Sequence, residues 1–325
     1  MTAISAMFQT ILLIYISILA GYTEKQKRDA GSKWKKGLDE MSKYVLSAFA
    51  DEAATDLKGQ IAALQRNGIR HVEIRNVNGE NICQTPLETV AEYKKALDAA
   101  GIRVLSVGSR IGKVRLSDDW NAHVAEFLHT LGAAKILGAS KMRMFSLYVP
   151  QPVDAHRGEV IERMEQLLQI AAAAGVTLCH ENEKGIYGDG CERVLDLMHT
   201  LAGRMEFIFD PANFIQCGCA PLELYRQMRD SISYFHMKDA KMGSGLVVPV
   251  GEGDGQIETI LRDFAVDHEE TMLTVEPHLM AFIGLRDEVS MPGREKPRYR
   301  DNNEAFDAAV TALKTILERS SLCYE

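Results

Sequence analysis

The amino-acid sequence predicts an α/β protein of the (β/α)8 TIM-barrel class, a single domain over residues 41–325 preceded by an extra N-terminal segment over residues 1–40. Three observations predict it. Short runs of strand formers alternate with longer stretches of helical apolar spacing, which implies a parallel sheet with helical crossovers. Eight such units in about 280 residues imply closure into a barrel. The alternative, an open doubly wound sheet, would want a glycine-rich turn after its first strand, and Ser47-Ala-Phe-Ala-Asp-Glu52 contains no glycine.

Tyr44 to Ala50 reads as the first strand, and Asp51 to Asp56 as a polar loop. The following helix carries Leu57, Ile61 and Leu64 at helical spacing and stops at Asn67-Gly68. Arg70 to Arg75 is the second strand, with a helix from Leu87 to Ala100. Ile102 to Val107 is the third, followed by a loop to Trp120 and a helix to about Leu137. Lys141 to Ser146 is the fourth, and Arg157 to Ala174 a long helix ended by Gly175. Strands five to eight begin near Val176, Phe207, Ser233 and Met272, and Asn303 to Arg319 supplies the last helix.

The first forty residues stand apart. From Thr2 to Thr23 there is no charge, and Ile11 to Ala20 is strongly apolar, so the segment reads as a borderline membrane span or a signal-peptide core. No basic region precedes it and no clear small-residue cleavage site follows. The preferred reading is that translation starts at Met41, with a membrane anchor as the alternative, and the segment is excluded from reasoning about the fold.

A net charge of −8 disfavours extended nucleic-acid binding, because phosphate backbones would on average be repelled. The expected partner is a small molecule. Six scattered cysteines (Cys83, Cys179, Cys191, Cys217, Cys219, Cys323) lack the dense framework of a small secreted domain and read as reduced thiols of a cytoplasmic protein. Cys217-Gly-Cys219 matches neither a zinc ribbon nor a thioredoxin motif, and reads as two small loop residues.

The chemistry gathers where strands five to eight end. Val176-Thr-Leu-Cys-His-Glu181 closes on Glu181, Phe207-Ile-Phe-Asp210 on Asp210, Ser233-Tyr-Phe-His236 on His236 and Met272-Leu-Thr-Val-Glu276 on Glu276. In a parallel barrel these carboxyl ends converge on one mouth, so the four residues can surround one ion. Three carboxylates and an imidazole suit a divalent cation in an open site: Mn²⁺ is the expected ion, with Mg²⁺, Co²⁺ or Zn²⁺ as alternatives. An ion flanked by Glu181 and Glu276 suggests proton transfer next to a carbonyl, through a metal-stabilised enediolate. The outcome would be isomerisation or epimerisation of a sugar, sugar phosphate or polyol, or dehydration of a keto-sugar or keto-inositol. A catalytically silent sugar-binding barrel is the reading from another class.

The segments His180 to Asp189, Phe209 to Phe214, Phe235 to Asp239, Val250 to Gly255 and Val275 to His278 resemble the sugar phosphate isomerase/epimerase family of the xylose-isomerase-like TIM barrels, over about Tyr44 to Leu317. The resemblance implies that Glu181, Asp210, His236 and Glu276 are metal ligands and that Glu181 and Glu276 form the acid–base pair. It also places Lys238 near substrate oxygens and lets Glu73 and Arg143 close the mouth. The ketose 3-epimerases of this family carry a histidine three residues after the metal-binding Asp and an arginine six after the metal-binding His. Asn213 and Met242 stand there instead, so Asn213 becomes a candidate substrate contact and a simple free ketose a less fitting substrate. Two loops are candidates for substrate choice. The basic, glycine-bearing Gly108 to Arg115 reads as an anion grip or a solvated rim, and Arg286 to Asn303 as a lid or a contact in a homo-oligomer.

Overall fold

The computed structural model describes residues 44–268, 270–281 and 298–325. The N-terminal segment over residues 1–40 and most of the expected lid, residues 286–297, lie outside them. Among the described residues no helix is long and apolar enough to cross a membrane.

Eight strands form one sheet: β1 (Tyr44–Ala48), β2 (His71–Ile74), β3 (Arg103–Val107), β4 (Lys141–Met144), β5 (Thr177–Glu181), β6 (Glu206–Phe209), β7 (Ile232–Met237) and β8 (Thr271–Val275). Every pairing in its ladder is parallel, in the order β1-β8-β7-β6-β5-β4-β3-β2. Strands β1 and β2 pack side by side and bring the ring round to its start. This is the expected barrel.

Nine helices are described: α1 (Leu57–Arg66), α2 (Leu87–Ala99), α3 (Trp120–Leu137), α4 (Arg157–Ala174), α5 (Cys191–Thr200), α6 (Pro211–Gln216), α7 (Pro221–Met228), α8 (Ile257–Asp267) and α9 (Asn302–Arg319). Their starts and stops follow local chemistry. The Asp56, Asp119 and Asp301 side chains accept from the first-turn amides of α1, α3 and α9, and α3 and α4 end at Gly138 and Gly175 in the left-handed region. Helix α4 shows why the helices stay against the sheet. Its Val160, Met164, Leu167, Leu168 and Ala171 fall on one face and are all buried, worth about 1.5–3 kcal/mol for each of the larger side chains.

Because side chains two apart on a strand share a face, each mouth residue stands above another residue of the same face. Glu181 stands above Cys179, Asp210 above Ile208 and His236 above Tyr234. Cys179, Ile208 and Tyr234 pack with Met272 into an apolar plug. That plug is the floor of the polar mouth.

The expectation of six reduced thiols fails at one pair, since Cys191 and Cys219 form a disulfide with Cα atoms 6.0 Å apart. Cys191 opens α5 and Cys219 follows α6, so the bond ties the loop leaving β5 to the loop leaving β6. A separation of 28 residues hides that proximity in the sequence. Cys83, Cys179, Cys217 and Cys323 are free thiols.

Candidate metal and acid–base site

Strands β5 to β8 bring Glu181, Asp210, His236 and Glu276 together: one donor atom from each lies within 4.8 Å of all the others, and all four residues are buried. Local structure aims each of them. Asp210 is the N-cap of α6, with Pro211 in the first turn, and its Oδ1 accepts from the Asn213 amide at 3.0 Å. That bond leaves Oδ2 turned to the mouth. Lys238 Nζ lies 2.8 Å from this oxygen as an ion pair, outside hydrogen-bond geometry, and donates to Glu276 Oε2 at 2.9 Å.

Lys238 owes its place to its neighbour. The Asp239 carboxylate is clasped by the amides of Ala240, Gly251, Gly253 and Gly255 at 2.9–3.1 Å. A Cβ at Gly253 would lie 2.1 Å from Asp239 Oδ1, which explains why the Gly-Glu-Gly-Asp-Gly run needs glycine there.

Of the expected substrate contacts, three reach the cluster. Arg143 Nη1 donates to Glu181 Oε2 at 2.9 Å, Asn213 Nδ2 to Glu181 Oε1 at 3.2 Å, and Lys238 as described. Glu73 is placed differently from the expectation. It is wholly buried beneath His236, where its carboxylate is taken up by Tyr234, Thr274 and His236, rather than closing the mouth. The Gly108 to Arg115 loop is neither a free rim nor a bare anion grip. Its Ser109 and Gly108 carbonyls accept from Arg143, and Lys113 pairs with Glu183 at 2.7 Å. Met242 is half exposed, with its amide donating to Asp254.

Sequence reasoning missed four members. Arg75 is buried and reaches Asp51, Glu52 and Glu276 at 3.0–3.1 Å, while its guanidinium lies over the Phe49 ring. His278 Nε2 stands 3.3 Å from Glu276 Oε1 and 3.5 Å from Glu52 Oε1, on a backbone in the left-handed region. The signals were present: Arg75 shares the face of Glu73, and Asp51-Glu52 follows the first strand as the ligands follow theirs. Glu52, Glu276 and His278 form a second group of potential ligands, but the Arg75 guanidinium already bridges Glu52 and Glu276.

The electrostatics set these groups apart. Burial opposes ionisation of Glu181, yet His236 and Arg143 outweigh it and hold the carboxyl down to about 2. Glu276 is likewise held well below the usual range against its burial, by Lys238, His278 and His236. Burial instead lifts Asp210 to about 7 and Glu52 to about 8, with Lys238 and Arg75 opposing. His236 is pushed up to about 10, Glu181 and Glu73 overcoming its burial.

Do these residues fit a divalent ion? Six carboxylates (Asp51, Glu52, Glu73, Glu181, Asp210, Glu276) face three permanent cations (Arg75, Arg143, Lys238) in a space almost sealed from water. A buried excess of negative charge is costly unless neutralised. A divalent cation with one proton, kept on Glu52, would neutralise it, and the oxygen-rich donor set with one imidazole suits Mn²⁺ or a similar ion. The fit is good.

The model of the xylose isomerase-like TIM barrel family matches residues 61–278. A search of curated proteins finds no significant match. Among solved structures, the chain is similar to the probable 3-DHS dehydratase AsbF of Bacillus anthracis (16% identity, TM-score 0.64, covering 84% of this chain and 98% of that one). It is similar also to the IOLI protein with a bound zinc atom (16%, TM-score 0.65, 85% and 98%) and to a D-allulose 3-epimerase from Methylomonas sp. (16%, TM-score 0.64, 85% and 99%). At such identities these likenesses speak for the fold.

Proposed function

Because the chain belongs to the xylose isomerase-like TIM barrel family, we propose that it is a divalent-metal-dependent isomerase or epimerase that moves a proton at a carbon next to a carbonyl of a small sugar, sugar phosphate or polyol. The observation that carries the reading is the convergence of Glu181, Asp210, His236 and Glu276 in a buried cluster with more carboxylates than cations. A bound Mn²⁺ would polarise the carbonyl and hydroxyl oxygens of the substrate and so acidify the neighbouring C–H.

The chain's own residues do the rest. Glu181 and Glu276 are held ionised at neutral pH, so either can remove the proton. That carboxyl can hand the same proton back at the neighbouring carbon, and return from the opposite face requires the other glutamate to have taken up a proton first. Arg143 holds the Glu181 carboxylate in place, and Asn213 fixes its other oxygen. Lys238 bridges Asp210 and Glu276, within reach of a substrate oxygen bound between them. The plug of Cys179, Ile208, Tyr234 and Met272 keeps water from entering below.

A dehydratase on the same scaffold is the second reading, supported by the likeness to the probable 3-DHS dehydratase AsbF. His278 stands 3.3 Å from Glu276, and burial pushes its imidazole down to about 4, so near neutrality it would accept a proton rather than supply one to a departing hydroxyl.

The test is proton exchange in D₂O with Mn²⁺-loaded protein and a panel of ketoses, keto-inositols and sugar phosphates, followed by NMR. Deuterium should enter the carbon next to the carbonyl, at a rate lowered on the order of 10²–10⁴-fold in Glu181→Gln and Glu276→Gln. Loss of water seen by mass spectrometry would shift the assignment to the dehydratase. Neither exchange nor dehydration across the panel, with Mn²⁺ demonstrably bound, would remove the proposal for those substrates.

A further inference from the structure

We propose that Glu73 is a positioning residue that fixes the tautomer and rotation of His236, so that Nδ1 of the imidazole faces the cation; the proposal rests on the metal reading above.

His236 is held from both sides. Nδ1 lies 2.8 Å from Glu181 Oε1 and 3.6 Å from Glu276 Oε2, so this nitrogen belongs to the ligand cluster. Nε2 points the other way, 3.1 Å from Glu73 Oε2. Glu73 already accepts from Tyr234 at Oε1 and from Thr274 at Oε2, so it meets Nε2 as an acceptor: Nε2 carries the hydrogen and the lone pair of Nδ1 is left for the ion. Phe49 and Tyr234 lie against the ring, with centroids 5.1 and 5.6 Å away, and limit its swing.

The barrel is shaped around this carboxylate. Strand register slips at two places in the ring. Between β2 and β3, Val72 pairs with Val104 but Glu73 with Ser106, passing over Leu105. Between β6 and β7, Phe207 pairs with Ile232 but Ile208 with Tyr234, passing over Ser233. Such irregularities re-aim side chains, and these two involve Glu73 and Tyr234. The Tyr234 hydroxyl donates to Glu73 Oε1 at 2.9 Å and contacts Ser106 Oγ at 3.0 Å, and Thr274 donates to Glu73 Oε2 at 2.9 Å. Thus β3, β7 and β8 all contribute hydroxyls around a carboxyl group from β2, one step below the metal-binding layer. A carboxylate placed only to fill the barrel would need no imidazole above it.

The test uses the full chain with Mn²⁺ for affinity and Zn²⁺ for a diamagnetic NMR spectrum. Wild type should bind one Mn²⁺ per chain by calorimetry. Glu73→Ala should weaken that binding on the order of 10–100-fold, and Glu73→Gln, whose amide oxygen still accepts from Nε2–H, should recover most of it. Should Glu73→Ala fail to fold, Glu73→Gln and Tyr234→Phe carry the test through the ring itself. In Zn²⁺-loaded wild type the ¹⁵N spectrum should show His236 protonated at Nε2, with a downfield Nε2–H resonance that moves upfield once the Glu73 carboxyl is replaced by the glutamine amide. Tyr234→Phe should leave that tautomer intact. Mn²⁺ affinity unchanged in folded Glu73 variants, or His236 protonated at Nδ1, would overturn the positioning role while leaving the metal site standing. Wild type that binds no Mn²⁺ would overturn both.

Discussion

The barrel has two polar ends built from the same strands, and they behave as opposites. At the amino-terminal end, Lys141 of β4 pairs with Glu206 of β6 at 2.6 Å, with Ser233 beside them. One strand step up and more, Arg143 and Asp210 lie on the same faces of the same strands. The lower pair is 31% and 44% exposed and balanced in charge, whereas Arg143 and Asp210 are almost wholly buried in a cluster with twice as many carboxylates as permanent cations. Residue type is therefore a poor guide to function here. What separates a salt bridge from a reactive centre is burial together with a charge imbalance that the protein does not close by itself.

The contrast can be broken or sharpened by experiment. The largest effect is expected at Arg75. Arg75→Met leaves Asp51, Glu52 and Glu276 without their shared cation, and removing one partner from such a buried group should lower stability by about 3–5 kcal/mol in urea unfolding of the metal-free protein. A loss of under about 1 kcal/mol would show that the upper end is as solvated as the lower.

A second measurement concerns pH. His236 and Asp210 are raised to about 10 and about 7, so near neutrality the metal-free chain holds protons that ligation must expel. Higher pH removes those protons beforehand, so Mn²⁺ affinity should climb about tenfold per unit near pH 8, where one proton is expelled, and more steeply near pH 6, where ligation expels two. A flat profile by calorimetry in buffers of different ionisation enthalpy would contradict that.

The smallest effect belongs to the lower end. Lys141→Met should change stability by no more than about 1 kcal/mol and leave proton exchange unaltered, because a half-exposed pair competes with water. A loss of turnover in this variant would erase the distinction between the two ends.

Much of this was legible along the chain, and for definite reasons. Strand formers, helical spacing and glycine stops are local, so β1 to β8 could be placed in order, and a carboxylate or imidazole closing each of β5 to β8 predicted a common mouth. Asp210 shows the sequence working at two levels, since Asp-Pro-Ala-Asn213 is both a helix cap and a strand end. The misplacement of Glu73 has an equally physical cause. The register slip beside it is a property of two strands together, and nothing within Arg70 to Arg75 reports it. The Cys191–Cys219 disulfide escapes the sequence for the same reason, since its two halves meet only in the fold.

The sequence by itself determined the alternation of strands and helices, the period-two face on which every mouth residue lies, and the chemistry of the four residues that close β5 to β8. These follow from rules that act over a few residues. Only the tertiary structure decided that Arg75, Glu52 and His278 join the site and that Glu73 stands under His236 instead of facing the mouth. It also decided that carboxylates outnumber cations there, because proximity, burial and charge balance arise only when strands distant in sequence are closed into one ring.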